Sequence, residues 1–382
     1  MEPKSKHRIF LSIFFFLSGV CFSTWASRIP TIKTNFQYNE AELGTLLLFM
    51  PIGSLLGLPI SGWLVSKFNS RGPIIIAFFF LAFALALIGF AKSTILLVAA
   101  IILFSFSMRI MNIFINTQAL SIQKMYVRSI NGSFHGLWSA GGITGVGIST
   151  LFVSLEVPMQ YHFLSVAVVA LIIGSISYQF LLRNDRPTAG SKLKLGNPDP
   201  YIIYLGLLVF LASVCEGGMF DWSGVYFKEV VHEKIFTLGY LIFMIFMAMS
   251  RFVSDRVVEI IGMPKTFIFS ASLIFIGILF AVIFPTFWPS MIGFCLVGFG
   301  AAAIVPLTFL LAGYSKKYSP GMAISIIVTY SIAGMLLGPP LIGYIAHAFN
   351  LRIAFATFAL SGLLIIPVSQ LFFRYQKRNN LG

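Results

Sequence analysis

Few of the 382 residues can do chemistry, and those that can are scattered through long apolar runs. Ser105, Arg109, Asn112 and Asn116 follow one another at intervals of four, three and four, which puts all four side chains within roughly 60° on one helix face. A guanidinium inside an apolar helix is costly unless it faces a cavity or a partner, so the stripe reads as a solute-binding face. Arg109 then supplies a donor fork for hydroxyl or carboxylate oxygens. Hydrogen bonding that merely ties helices together is the other reading. His135 and Trp138, three residues apart, offer one ring that hydrogen-bonds and one that stacks, the pairing a sugar-like solute needs. Plain helix packing is the alternative for His135. Trp25, Trp222 and Tyr330 are candidate cavity aromatics, or else anchors at the membrane boundary.

Glu216 is the sole acid near the middle of an apolar run. That makes it the candidate proton carrier, or the standing ion-pair partner of Arg109. Gly217 and Gly218 follow it and read as a place where the helix flexes. Asp221 lies five residues on, about 140° around the helix, and serves elsewhere; with Arg28 it forms a candidate outer gate. Arg28 also reads as an ordinary boundary cation.

The elements that must position these groups are membrane spans. Hydrophobic residues make up 58% of the chain, charged residues 10%, and the mean hydropathy is +0.93, too little polar surface for a soluble protein of this length. Apolar runs of about 20 residues recur throughout, giving on the order of twelve transmembrane helices. They are expected at 9–28, 41–65, 72–92, 94–122, 131–154, 160–182, 201–226, 236–254, 265–285, 288–313, 320–347 and 351–373. With both termini cytoplasmic, 19 of the 26 Lys and Arg residues fall on the cytoplasmic side, and that asymmetry supports the even count. The net charge of +14 is therefore that of a positive-inside membrane protein, not of one that binds nucleic acid. The first run is followed by Trp25, Arg28 and Pro30, not by a small-residue cleavage site, and reads as a retained span.

The polar stretch 183–200 reads as a cytoplasmic linker between an N-terminal six-helix half, 1–182, and a C-terminal half, 201–382. The halves echo one another. Trp25-Ala-Ser recurs as Trp222-Ser-Gly and Leu43-Gly44 as Leu238-Gly239, at a near-constant offset of about 195 residues, as a duplicated all-α transporter shows. Neither a metalloprotease H-E-x-x-H, a G-x-S-x-G elbow nor a phosphate-binding loop occurs, so an enzyme is not expected. The three cysteines have no paired spacing; no metal or other cofactor is implied. A filter loop or charge ring, as in a channel, and a soluble output domain, as in a sensor, are likewise missing.

Gly62-Trp-Leu-Val-Ser66-Lys-Phe-Asn69-Ser-Arg71-Gly72 resembles the major facilitator loop signature G-x-L-x-D-[RK]-x-G-[RK], with Ser66 in place of the acid. Its counterpart in the second half, Arg251-Phe-Val-Ser-Asp255-Arg256, keeps the Asp-Arg pair, which can latch the cytoplasmic side. Ser23-Thr-Trp-Ala-Ser-Arg28-Ile-Pro30, Phe134-His-Gly-Leu-Trp-Ser-Ala-Gly141, Cys215-Glu-Gly-Gly-Met-Phe-Asp-Trp222 and Leu337-Gly-Pro-Pro-Leu-Ile-Gly343 are similar to a bacterial inner-membrane branch of the family near the fucose permeases. The resemblance runs along essentially the whole chain. It implies a monomeric multi-pass transporter of the inner membrane, working by alternating access on a small, sugar-like or acidic solute, with protons as a second candidate cargo. Asn112 and Gln118 stand on the fourth span where that branch tends to carry acids. Drug or metabolite efflux by the same fold is the rival function, and Gly141-Gly-Ile-Thr-Gly145 lacks the proline that efflux pumps tend to carry there.

Overall fold

The computed structural model describes residues 3–127, 130–185 and 199–379. Residues 186–198 of the expected linker, and Arg128 of the charge census, lie outside them. Fourteen helices and no strand occur among the described residues: α1 (Pro3–Ser27), α2 (Ile29–Phe36), α3 (Glu40–Leu47), α4 (Phe49–Lys67), α5 (Arg71–Phe90), α6 (Thr94–Gln123), α7 (Asn131–Ser154), α8 (Met159–Tyr178), α9 (Pro200–Glu229), α10 (Thr237–Ile261), α11 (Met263–Ile283), α12 (Phe287–Ala312), α13 (Pro320–Ala348) and α14 (Leu351–Arg378). They make twelve candidate membrane spans among the described residues, because α1 joins α2 and α3 joins α4 in single long segments.

Prolines explain both joints. Pro30 and Pro51 have no N–H to give, and their rings clash with the carbonyls of Ala26 and Leu47, so each helix is interrupted a few residues earlier. Helix starts are set by side chains that take the first free N–H groups. Asn39 accepts from Glu42 N at 2.9 Å while Glu42 accepts from Asn39 N at 2.9 Å, a reciprocal box. Asp199 and Asn350 also accept at their helix starts, from Ile202 N and Ile353 N, without a return bond.

Contacts divide the chain into two compact units, 1–36 with 49–191 and 37–48 with 192–382. In the first, α1 packs on α7, α4 on α6, and α5 on α6 and α8. The α1–α7 contact is backbone on backbone: a Cβ at Gly141 would collide with Phe16 O, and one at Gly145 would come within 2.6 Å of Val20 O. Close approach explains these two glycines; Gly147, further along the same helix, has nothing within 4 Å of such a Cβ. In the second unit α9 packs on α13 and α14, α11 on α12, and α10 on α12, with Gly277 and Gly293 facing each other across α11 and α12. The short α3 belongs here by its packing on α13, where Gly44 meets Gly343 and Thr45 Oγ1 lies 3.0 Å from Tyr344 Oη.

The expected cytoplasmic loop at Arg251–Arg256 is not a loop. It is the last part of α10, which runs to Ile261 and stops at Gly262, whose φ of 81° a side chain would resist. Nor do Gly217 and Gly218 loosen α9, which is unbroken; Gly218 makes room for the Phe358 ring of α14. Substituting Gly141 by alanine should lower stability by about 1–3 kcal/mol through overpacking, whereas Gly147→Ala, whose new methyl meets open space, should leave it unchanged or raise it by up to about 1 kcal/mol. Thermal unfolding of the detergent-solubilised protein distinguishes the two.

Candidate functional site

In the first unit the polar stripe of α6 lies against α4. Gly53 and Gly57 make that approach possible: a Cβ at Gly53 would strike Ser105 Oγ, and one at Gly57 would lie 3.1 Å from the Arg109 stem. Arg109 Nε donates to Ser54 Oγ at 2.7 Å. One hydroxyl orients the guanidinium without neutralising it, so the charge stays available for a carboxylate or hydroxyl. Asn112 and Asn116 are half-buried on the same stripe, with Asn116 Nδ2 donating to Asn112 O at 2.7 Å. His135 is exposed, edge-on to Phe15 at 5.7 Å between ring centres, and Trp138 lies 6.1 Å from Phe22 of α1. Trp25 is fully buried beside Phe104, and its Nε1 has no hydrogen-bond partner among the described residues.

Arg28, between α1 and α2, is 5% exposed and held in a cage. Its Nε donates to His162 Nδ1 at 3.2 Å and its Nη2 to Val157 O at 2.9 Å. Because His162 accepts at Nδ1, its proton sits on Nε2, which faces Ser149 Oγ at 3.5 Å; Ser149 in turn donates to Gly145 O. A buried guanidinium fixed this firmly is no loose boundary cation. His162 was invisible in the sequence, where a single histidine in an apolar run carries no mark of its partner.

At one end of the same unit, Asp185 is buried and accepts from Ser70 N at 2.9 Å and from Ser70 Oγ. Gln118 Nε2 joins them, 2.5 Å from Ser70 Oγ. The carboxylate sits at the start of α5, where the helix dipole favours it. Gln118 is thus part of a structural clasp. Arg71 lies over the Tyr178 ring at 4.4 Å and donates to Tyr178 O.

In the second unit Glu216 of α9 has a partner on the neighbouring helix α10. Arg251 Nη2 of α10 lies 3.7 Å from Glu216 Oε1, with side-chain exposures of 33% and 13%. The partner offered earlier, Arg109, is bonded to Ser54 in its own unit. Ser213 and Ser331 hydroxyls are 2.7 Å apart, and the Tyr330 ring lies flush over Gly206. Asp221 is half-buried and makes no hydrogen bond or ion pair among the described residues. Asp255 and Arg256 are exposed on the final turns of α10. Trp222 mirrors Trp25: fully buried, with an unpartnered Nε1 among the described residues. No cluster of three or more metal-ligating side chains occurs among the described residues.

The sequence profile of the Major Facilitator Superfamily matches residues 9–277 and 237–381. The chain belongs to that superfamily. An uncharacterized MFS-type transporter of Yersinia pestis is 31% identical over 364 residues, covering 94% of each chain. The membrane protein MosC of Rhizobium meliloti is 30% identical over 369 residues, covering 95% of this chain and 89% of its own. Among solved structures, that of a variant of the nucleoside transporter NupG superposes with a TM-score of 0.79 at 12% identity, covering 97% of this chain and all of its own. A bacterial homologue of the lysosomal transporter Spinster, inward-facing and occupied, gives 0.76 at 12% identity, covering 98% of each. The protein is therefore a multi-pass membrane transporter with the major facilitator fold, not an enzyme.

His162→Phe keeps a ring beside Phe152 but leaves the Arg28 Nε–H without its acceptor. The expected cost is about 1–3 kcal/mol, read as a lower melting temperature of the purified protein.

Proposed function

We propose that this chain is a secondary active transporter that moves a small polar solute, sugar-like or an organic acid, across a bacterial inner membrane by alternating access. The observation that carries the reading is the Glu216–Arg251 pair, 3.7 Å apart on two apolar spans and still partly accessible. Ion pairs inside a membrane are costly to maintain for packing alone, and they mark solute and proton pathways. Arg109, held by Ser54, supports the same reading from the first unit, with Asn112, Asn116, His135 and Trp138 as its companions. Tyr330, half-buried against Gly206, is the candidate solute-facing aromatic of the second unit, and the fully buried Trp25 is the candidate aromatic wall of the first. The nucleoside transporter NupG shares the fold, and a nucleoside is one polyhydroxylated solute of the proposed class.

Protons are the coupling ion. Protonating Glu216 removes the carboxylate charge that faces Arg251, and the guanidinium can then turn to an oxygen of the solute. Arg28, Asp221, Asp255 and Arg256 serve as gate residues, both termini face the cytoplasm, and the protein acts as a monomer.

A thermal-shift screen of the purified protein against nucleosides, hexoses, sugar acids and amino acids tests the solute class. A polar member is expected to raise the melting temperature, with at least half the rise lost in Arg109→Ala and in Arg251→Ala. Stabilisation by lipophilic cations alone would end the polar-solute reading in favour of drug efflux.

With that solute in proteoliposomes, Glu216→Gln should keep solute exchange while losing accumulation driven by an inward proton gradient. Gradient-driven accumulation equal to that of the unaltered protein would remove the proton from the mechanism.

A further inference from the structure

A cavity of about 590 Å³ opens in the first unit where the start of α1 meets the chain just beyond α6 and α8. Its lining combines Lys6, His7 and Arg183 with the apolar side chains of Met125, Phe180 and Leu182. We propose that this cavity binds the headgroup of an anionic phospholipid, with the cationic side chains on the phosphate and the apolar ones along the glycerol and first acyl carbons.

Charge is the first support. Lys6 and Arg183 are exposed, with no ion pair among the described residues. The only acids described in this unit are Glu156 and Asp185. Asp185, two residues from Arg183, is buried and committed to Ser70 and Gln118. Glu156 precedes α8 whereas Arg183 follows it, so some 20 helical residues, roughly 30 Å, separate them. Nothing acidic in the described unit thus neutralises the cavity. Lys4 and Arg8, over the Tyr126 ring at 5.9 and 5.6 Å, add to the same field.

Geometry is the second. His7 Nδ1 lies 2.7 Å from Phe180 O; a carbonyl only accepts, so Nδ1 carries the proton and Nε2 is left for another partner. Phe180 is itself held by stacking on Phe10, with ring centres 4.2 Å apart. Position is the third. The cavity lies where three candidate membrane spans end; a spanning helix meets the lipid headgroups at its end, and basic pockets there favour acidic lipids over free ions because the tail contributes as well.

The test uses the full-length protein in a neutral detergent, titrated with short-chain dioctanoyl phosphatidylglycerol and followed by native mass spectrometry. Near-surface cations contribute roughly fivefold each in affinity, so Lys6→Gln with Arg183→Gln should weaken binding about 25-fold. Lys92→Gln with Lys234→Gln, the same charge change on residues outside the cavity, should leave it unchanged. Equal binding of dioctanoyl phosphatidylcholine, or unaltered affinity in the Lys6/Arg183 variant, would overturn the proposal. Displacement of the lipid by equimolar inorganic phosphate would make this an ion site and overturn the lipid assignment. All four substitutions are at exposed side chains, and an unchanged melting temperature confirms that the variants are folded.

Discussion

Water is missing from most of the space these helices occupy, so a polar atom there is costly unless another part of the same chain meets it. The buried indole N–H groups of Trp25 and Trp222 are among the few left unmet in the described residues. The backbone meets that demand by being helical. Hydroxyls meet it locally, as when Thr117 donates to Ile113 O and Ser149 to Gly145 O, one turn back along their own helices. Charged groups have no local remedy, so their partners come from distant segments. Arg28 draws on α8 and the turn before it, and Asp185 reaches the start of α5. These long-range polar contacts, and the glycine surfaces that let helices approach, decide which helix lies beside which.

The same constraint divides the chemistry. Within the first unit the exceptional group is a cation with only a hydroxyl beside it; within the second it is a carboxylate with a guanidinium beside it. A lone oriented cation has charge to spare, whereas an ion pair has a state that a single proton can change. The two units thus share an architecture and differ in their polar chemistry. Trp25 and Trp222 are alike in burial, whereas the polar residues of the two units differ.

The spans were legible because run length alone reports them; the joints at Pro30 and Pro51 fall outside what run length reports and lie in the missing N–H of each proline. Arg109 stood out because its polar neighbours share its helical period. Arg251 did not: the hydropathy of α10 fades toward Ser254, Asp255 and Arg256, so the span seemed to end where a further two turns of helix continue. His162 and Asp185 find their partners 134 and 115 residues away, and no local pattern encodes such a pairing. Gly217 and Gly218 were ambiguous for another reason. A glycine pair is equally the signature of a flexible helix and of a crowded one, and only the Phe358 ring against Gly218 separates the two.

The paired indoles have an optical consequence. Trp25 and Trp222 are sealed off, one in each unit, while Trp63 and Trp288 are 53% and 70% exposed. A collisional quencher added from outside reaches the exposed pair and extinguishes their emission first. The light that survives comes from the interior of the bundle, weighted toward one emitter per unit. Replacing Trp222 would leave a native probe of the first unit, its light coming from Trp25 with a share from the half-buried Trp138, with no dye to attach and no cysteine to introduce.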